Sequence, residues 1–213
     1  MKEAGTFSIV SENQPVPGCT ISGEILPGVQ VFSLAEDTDI SAECYPVEVL
    51  QWNLTGKTIL NDKDEKKDTD VNEDEVVLKP AYHIIGVKAE ENTIYLEIRF
   101  RKETNMNKVI KAGEVFQLKN LVPYQDGKIV NMDIASDDNM KFVVMAFDAG
   151  TGLSQHAAPG EAIVFALDGG GIIGYEGKEY PIKAGEQFHF AKGGLHSVKA
   201  VSKFKMALLL VLD

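Results

Sequence analysis

The sequence predicts an all-β chain built twice over, and two observations carry this. First, short apolar segments rich in β-branched and aromatic residues recur at 142–147, 162–167, 172–175 and 207–212. Gly, Asp and Pro clusters bound them, and no stretch keeps a helical period over three turns. Second, the chain repeats itself at an offset of 113 residues. VQVFSL at 29–34 lies over FVVMAF at 142–147, and ISAE at 40–43 lies over LSQH at 153–156. Glu48 falls over Glu161, Gly56 over Gly169 and His83 over His196. One register held from residue 29 to residue 83 means a duplicated unit. Many short strands with regular turns make each unit an all-β barrel or sandwich.

The first unit is assigned to residues 1–103. Its QWNLTG segment is the counterpart of VFALDG in the second, and Trp52 within it reads as a core anchor. The stretch 61–75 follows, with eight acidic and three basic side chains, where the second unit has its hairpin at 175–186. So much like charge predicts a solvated, mobile loop. Asp62, Asp64 and Asp68 stand at oxygen-ligand spacing, but the glycine and closing glutamate of a calcium loop are absent from their places. A linker is assigned to 104–111 and the second unit to 112–213, opening with Gly113-Glu-Val-Phe much as the first opens with Gly5-Thr-Phe. Within it, Gly177 sits where a hairpin needs positive φ.

Composition narrows the function classes. The net charge is -11 and no basic stripe is visible, which excludes nucleic acid and anionic membranes as partners. The longest apolar run, 206–212, is far short of a membrane span. The N-terminus lacks the apolar core of a signal peptide, so a cytoplasmic protein is expected, with Cys19 and Cys44 as reduced thiols. Gly169-Gly-Gly171 is no phosphate loop, since no Lys-Ser/Thr follows it, and no G-x-S-x-G elbow occurs. Strand alternation would turn Cys44 away from Glu43 and Tyr45, which argues against a nucleophile.

The stretch 150–196 carries the most chemistry. His156 is followed by Pro159-Gly160-Glu161 and, after a hairpin, by Gly193 and His196. This resembles the two motifs of the cupin family, strongly in the second half and weakly in the first. The resemblance implies two tandem cupin barrels, of the double-stranded β-helix or jelly-roll type, in a bicupin similar to the small conserved-barrel group. It also implies His156, Glu161 and His196 as three of the four usual metal ligands. Ala158 stands where the second histidine is usual, and Ala191 where the second motif has proline. His189 is a replacement ligand if its side chain points inward. The corresponding positions in the first half are Glu43, Tyr45, Glu48 and His83, a poorer set for a transition metal and a reasonable polar pocket.

Three functions fit. The preferred one is a binding module holding a small polar molecule in the C-terminal barrel, among His156, Glu161, His189 and His196. The second is a metal-dependent oxygenase or isomerase of a small acid or sugar. It would use two imidazoles and a carboxylate to hold one Zn, Mn, Fe or Ni ion in that barrel. The third is a structural pairing protein with neither metal nor ligand. A monomer with pseudo-twofold barrels and a homodimer are both compatible with the sequence.

Overall fold

The computed structural model describes residues 5–212. In chain order, the first strands are β1 (Thr6–Phe7), β2 (Thr20–Leu26), β3 (Val29–Leu34), β4 (Asp39–Cys44) and β5 (Val49–Thr55). They are followed by β6 (Thr58–Asp62), β7 (Lys67–Val71), β8 (Val76–Lys79), β9 (Ile84–Ala89) and β10 (Thr93–Arg99). Then come β11 (Asn105–Met106), β12 (Val115–Phe116), β13 (Ile129–Ser136), β14 (Met140–Phe147) and β15 (Gly152–Ala157). The last are β16 (Glu161–Tyr175), β17 (Lys178–Lys183), β18 (Gln187–Phe190) and β19 (Leu195–Val211). One α turn, α1 (Ile9–Glu12), and a 3-10 turn at Leu118–Asn120 are the described helical pieces. The all-β expectation holds.

The duplication is visible in the pairing. In the first half the order is β12-β8-β5-β10-β3-β2, with a second sheet β4-β9-β6-β7. In the second half the order is β1-β18-β16-β19-β14-β13-β11, with β15 on β19 and β17 on β16. The long β16 does the work of β5 and β6, and the long β19 that of β9 and β10. Bulges at 166–171 bend β16 where the first half breaks its strand at Gly56.

Two compact units result, and they interleave along the chain. One holds Val10–Thr104 with Lys108–Gln117. The other holds the described residues up to Ile9, Asn105–Asn107 and Leu118 onward. Short arms account for this. Thr6 and Phe7 pair with Phe188 and Gln187, and Val115 and Phe116 pair with Val77 and Val76. Each arm covers the otherwise open edge of a four-residue strand, β18 or β8, and so satisfies its backbone groups. The boundary assigned to 104–111 therefore does not separate the units cleanly.

The stretch 61–75 is an ordered hairpin rather than a mobile loop. β6 and β7 pair from Thr58↔Val71 to Asp62↔Lys67. Val71 is fully buried, and its carbonyl accepts from Asn53 Nδ2 at 2.7 Å. Alternation explains what charge count missed: Thr69 and Val71 face inward, while Asp68 and Asp70 keep their carboxylates in water.

Candidate functional site

The inward faces of the two units are chemically unlike. In the N-terminal unit, Tyr95, Glu97 and Arg99 share one face of β10. Their partners are Phe32 and Gln30 on β3, and Asn53, Gln51 and Val49 on β5. Tyr95 and Phe32 stack at 4.9 Å within a core of Leu34, Leu60, Val71, Val77, Ile85 and Val87, so this face is the interior. Above that apolar floor lie charges. Lys79 Nζ bonds Glu97, with side chains only 7% and 5% exposed. Arg99 Nη2 donates to Gln30 and to Tyr45 Oη, both at 3.0 Å, and its guanidinium lies over the Tyr45 ring. Tyr45 in turn donates to Glu43. Burial foremost, then that bond to a carboxylate, pushes the Tyr45 phenol well up, so it stays protonated.

These groups border a small open cleft lined by Glu43, Tyr45, Val49, Lys79, His83 and Ile85 among others. Tyr95 Oη, Glu97 Oε2, Gln51 Oε1 and Arg99 Nε are buried with no hydrogen-bond partner. A neighbouring carboxylate keeps His83 charged more readily. Asp62 Oδ2 accepts from His83 Nδ1 at 2.7 Å, which raises the imidazole pKa. Burial opposes ionisation of Asp62. The bonds from His83 and from the Glu65 and Asp64 amides outweigh it, and its pKa falls.

In the C-terminal unit the same positions are apolar. Ala162 is flanked by Phe190 and Leu210, as Val49 is by Lys79 and Arg99. Val164 is flanked by Phe188 and Leu208, as Gln51 is by Val77 and Glu97. Phe147, Tyr175, Phe188, Phe190 and Phe204 fill that interior with Ala158, Met206 and Leu210. Each such aromatic side chain contributes about 1.5–3 kcal/mol by burial.

The residues named from the C-terminal motifs divide into two pairs. His156 on β15 lies opposite His196 on β19, with ring centroids 4.1 Å apart. His196 is buried and stacks on Phe190 at 4.2 Å. Burial first, then the nearby His156, lowers its pKa. Glu161 instead meets His189, Oε1 to Nε2 at 2.7 Å. The next residue, Ala162, is in the core, so alternation turns Glu161 to the opposite face. Among the described residues, the group of three metal-ligating side chains with all ligand atoms within 4.8 Å is Asp62, Asp64 and His83. The three-ligand set His156, Glu161 and His196 thus does not form the compact donor group that a metal of the family's usual kind needs.

The first-half equivalents also shift. Glu43 and Tyr45 reach the cleft, but Glu48 precedes inward-facing Val49 and does not line it. Glu43 pairs with Ile85 as His156 pairs with His196, so Ile85, not His83, holds the place of His196. The cause is a turn. Asp62 and Lys67 bracket four residues, whereas Tyr175 and Lys178 bracket two, which moves the repeat register by two from there on. Lys79, Glu97 and Arg99 were missed altogether. Their signal was a charge inside an apolar strand, in VVLK and TIYLEIR.

Residues 143–212 match the Cupin domain family. A solved Cupin 2 conserved barrel domain protein from Leptotrichia buccalis superposes with a TM-score of 0.87 at 27% identity, over 99% of this chain and 98% of that one. Salicylate 1,2-dioxygenase from Pseudoaminobacter salicylatoxidans superposes with a TM-score of 0.62 at 9% identity, over 86% and 67% of the two chains. An oxalate decarboxylase gives 0.58 at 11% identity, over 100% and 78%. These last two share the fold. No curated protein sequence matches this chain. No helix among the described residues is long and apolar enough to cross a membrane. Residues 143–212 thus carry a cupin domain, and the chain as a whole shares the fold of a cupin conserved-barrel protein.

Proposed function

We propose that this cupin is a binding module for a small polar molecule, held in the cleft of the N-terminal unit rather than in the C-terminal barrel as the motifs suggest. The observation that supports this is the set of buried unpartnered atoms on residues behind the cleft lining, where Glu97 bonds the lining residue Lys79 and Arg99 bonds the lining residue Tyr45. Tyr95 and Arg99 offer donors, and Gln51 and Glu97 offer acceptors. A buried polar group without a partner costs about 1–3 kcal/mol, and a ligand with oxygens of both kinds that reaches past Lys79 and Tyr45 would recover that cost. Lys79, His83 and Glu43 at the lining add charge for orientation. The test is a calorimetric and thermal-shift screen of small carboxylic acids and polyols. The wild type should bind at least one class, and the Lys79→Met/Glu97→Leu double variant, which keeps its volume without charge, should not. Binding that survives this change refutes the location.

A second reading, a metal-dependent oxygenase or isomerase, draws on the histidine pair. Ser154 and Gly194 carbonyls each face a ring Nδ1, at 2.8 and 3.2 Å, so both rings donate there and leave Nε2 as a lone-pair donor. Glu161 supplies no third ligand while it is bonded to His189.

A further inference from the structure

We propose that Asp62, Asp64 and His83 form a site for one divalent transition cation at the rim of the N-terminal cleft. It lies away from the positions that the family motifs mark, and it stands independently of the small-molecule reading. Three separate pieces bring the donors together: the end of β6, the β6–β7 turn and the loop before β9. Their ligand atoms all lie within 4.8 Å of one another. An ion about 2.1 Å from each would need them within about 4.2 Å, so the site requires only a small contraction.

The duplicated unit shows that these residues exceed what the loop needs. In both units a turn carboxylate anchors the same loop amide. Asp64 Oδ2 accepts from Ile84 N at 2.7 Å, and Glu176 Oε1 accepts from Leu195 N at 2.6 Å. Beside that anchor the C-terminal unit has Tyr175 in the place of Asp62 and Gly194 in the place of His83. A Cβ on Gly194 would come within 2.5 Å of the Tyr175 ring. There the space is filled by an aromatic ring over a glycine. Here it is lined by a carboxylate facing an imidazole. The loop is held without either ligand in one unit, so the pair in the other is an addition with ligating chemistry.

One nitrogen and two carboxylates suit Mn, Co or Zn better than calcium or magnesium, which take oxygen alone. The ion would take His83 Nδ1 and Asp62 Oδ2 in place of the proton they share, together with Asp64 Oδ1, because Asp64 Oδ2 already holds Ile84 N and Asp62 Oδ1 the Asp64 and Glu65 amides. Binding displaces the Nδ1 proton that His83 shares with Asp62, so one proton leaves as the ion enters. Glu65, Glu43 and Lys79 are the other charged groups about His83, and the net field there favours a cation.

The experiment is calorimetric titration of the full chain with MnCl2, CoCl2 and ZnCl2 at pH 7.5 and 5.5. One equivalent should bind, with at least tenfold weaker affinity at the lower pH. His83→Gln, which still donates to Asp62, should weaken binding at least tenfold, and so should Asp64→Asn. His156→Ala should leave it unchanged. Metal-free melting temperatures identify any variant that fails to fold. Paramagnetic broadening of the wild-type amide spectrum by Mn then locates the ion without a mutation. Broadening centred on residues 62–64 and 83 supports the site. No stoichiometric binding, binding that survives His83→Gln, or broadening centred on His156 and His196 overturns it.

Discussion

The two halves of this chain share a strand order and differ in what they enclose. The N-terminal interior carries Lys79, Glu97, Arg99 and Gln51, and the C-terminal interior carries Phe190, Leu208, Leu210 and Val164 in the matching places. A duplicated barrel thus separates two demands. One copy is packed for stability, with five aromatic rings meeting in its centre. The other keeps buried charge, which stabilises little by itself and is costly to desolvate. The proposed ligand site would make use of the charge retained at that cost.

The largest expected effect tests that difference. Lys79→Met leaves the buried Glu97 with only its longer ion pair to Arg99, at 3.8 Å, and should cost up to about 3–5 kcal/mol in denaturant unfolding. Lys79→Met/Glu97→Leu together should cost far less, or stabilise by about 1–4 kcal/mol, because the replacement resembles the other half. If the single change is as mild as the double one, the pair is not buried as described.

A middle-sized effect lies in the loops before β9 and β19. Gly194→Ala drives a methyl group into the Tyr175 ring and should cost about 1–3 kcal/mol. Tyr82 holds φ at 65° where Gly193 holds 81° at no steric cost. Tyr82→Gly should therefore gain about 0.5–1 kcal/mol, the left-handed strain relieved less the entropy of glycine. Thermal melts of the variants check both signs, and a destabilised Tyr82→Gly would show that the tyrosine ring packs.

The smallest effect sets the two histidines against each other. His83 has a raised pKa, because Asp62 accepts its hydrogen bond. Its contribution is full below the ordinary histidine value of about 6.5 and fades as pH rises through the raised one. His196 has a lowered pKa, through burial first and His156 second. Its protonation opposes folding, so its cost appears as pH falls below about 6.5. Between pH 8 and pH 5, His83→Gln should lose melting temperature relative to wild type as pH falls, and His196→Gln should gain. The same trend for both would contradict the assigned environments.

How much of this was legible beforehand follows from what each signal measures. Alternation and turn residues report which face is buried, so the duplicated β architecture could be read from VQVFSL and FVVMAF. The family resemblance grouped His156 with His196, and the two lie opposite each other on β15 and β19. It could not show that Glu161 turns away, because a shift of one residue along a strand changes face. Nor could it show that two extra turn residues after Asp62 carry His83 off the His196 position. The charges at Lys79, Glu97 and Arg99 are separated by up to twenty residues in sequence and become neighbours only through β5 and β10. The acidic stretch misled through its charge count, since its inward residues are the few uncharged ones.

The most direct test of the central claim is a high-resolution crystal structure of the protein purified from cells, without added ligand or affinity tag. The account predicts non-protein density in the N-terminal cleft, touching Lys79, Glu43 or His83, and a C-terminal interior closed by Phe188, Phe190 and Tyr175. Density against His196 inside the C-terminal barrel, with the N-terminal cleft holding only solvent, would contradict it.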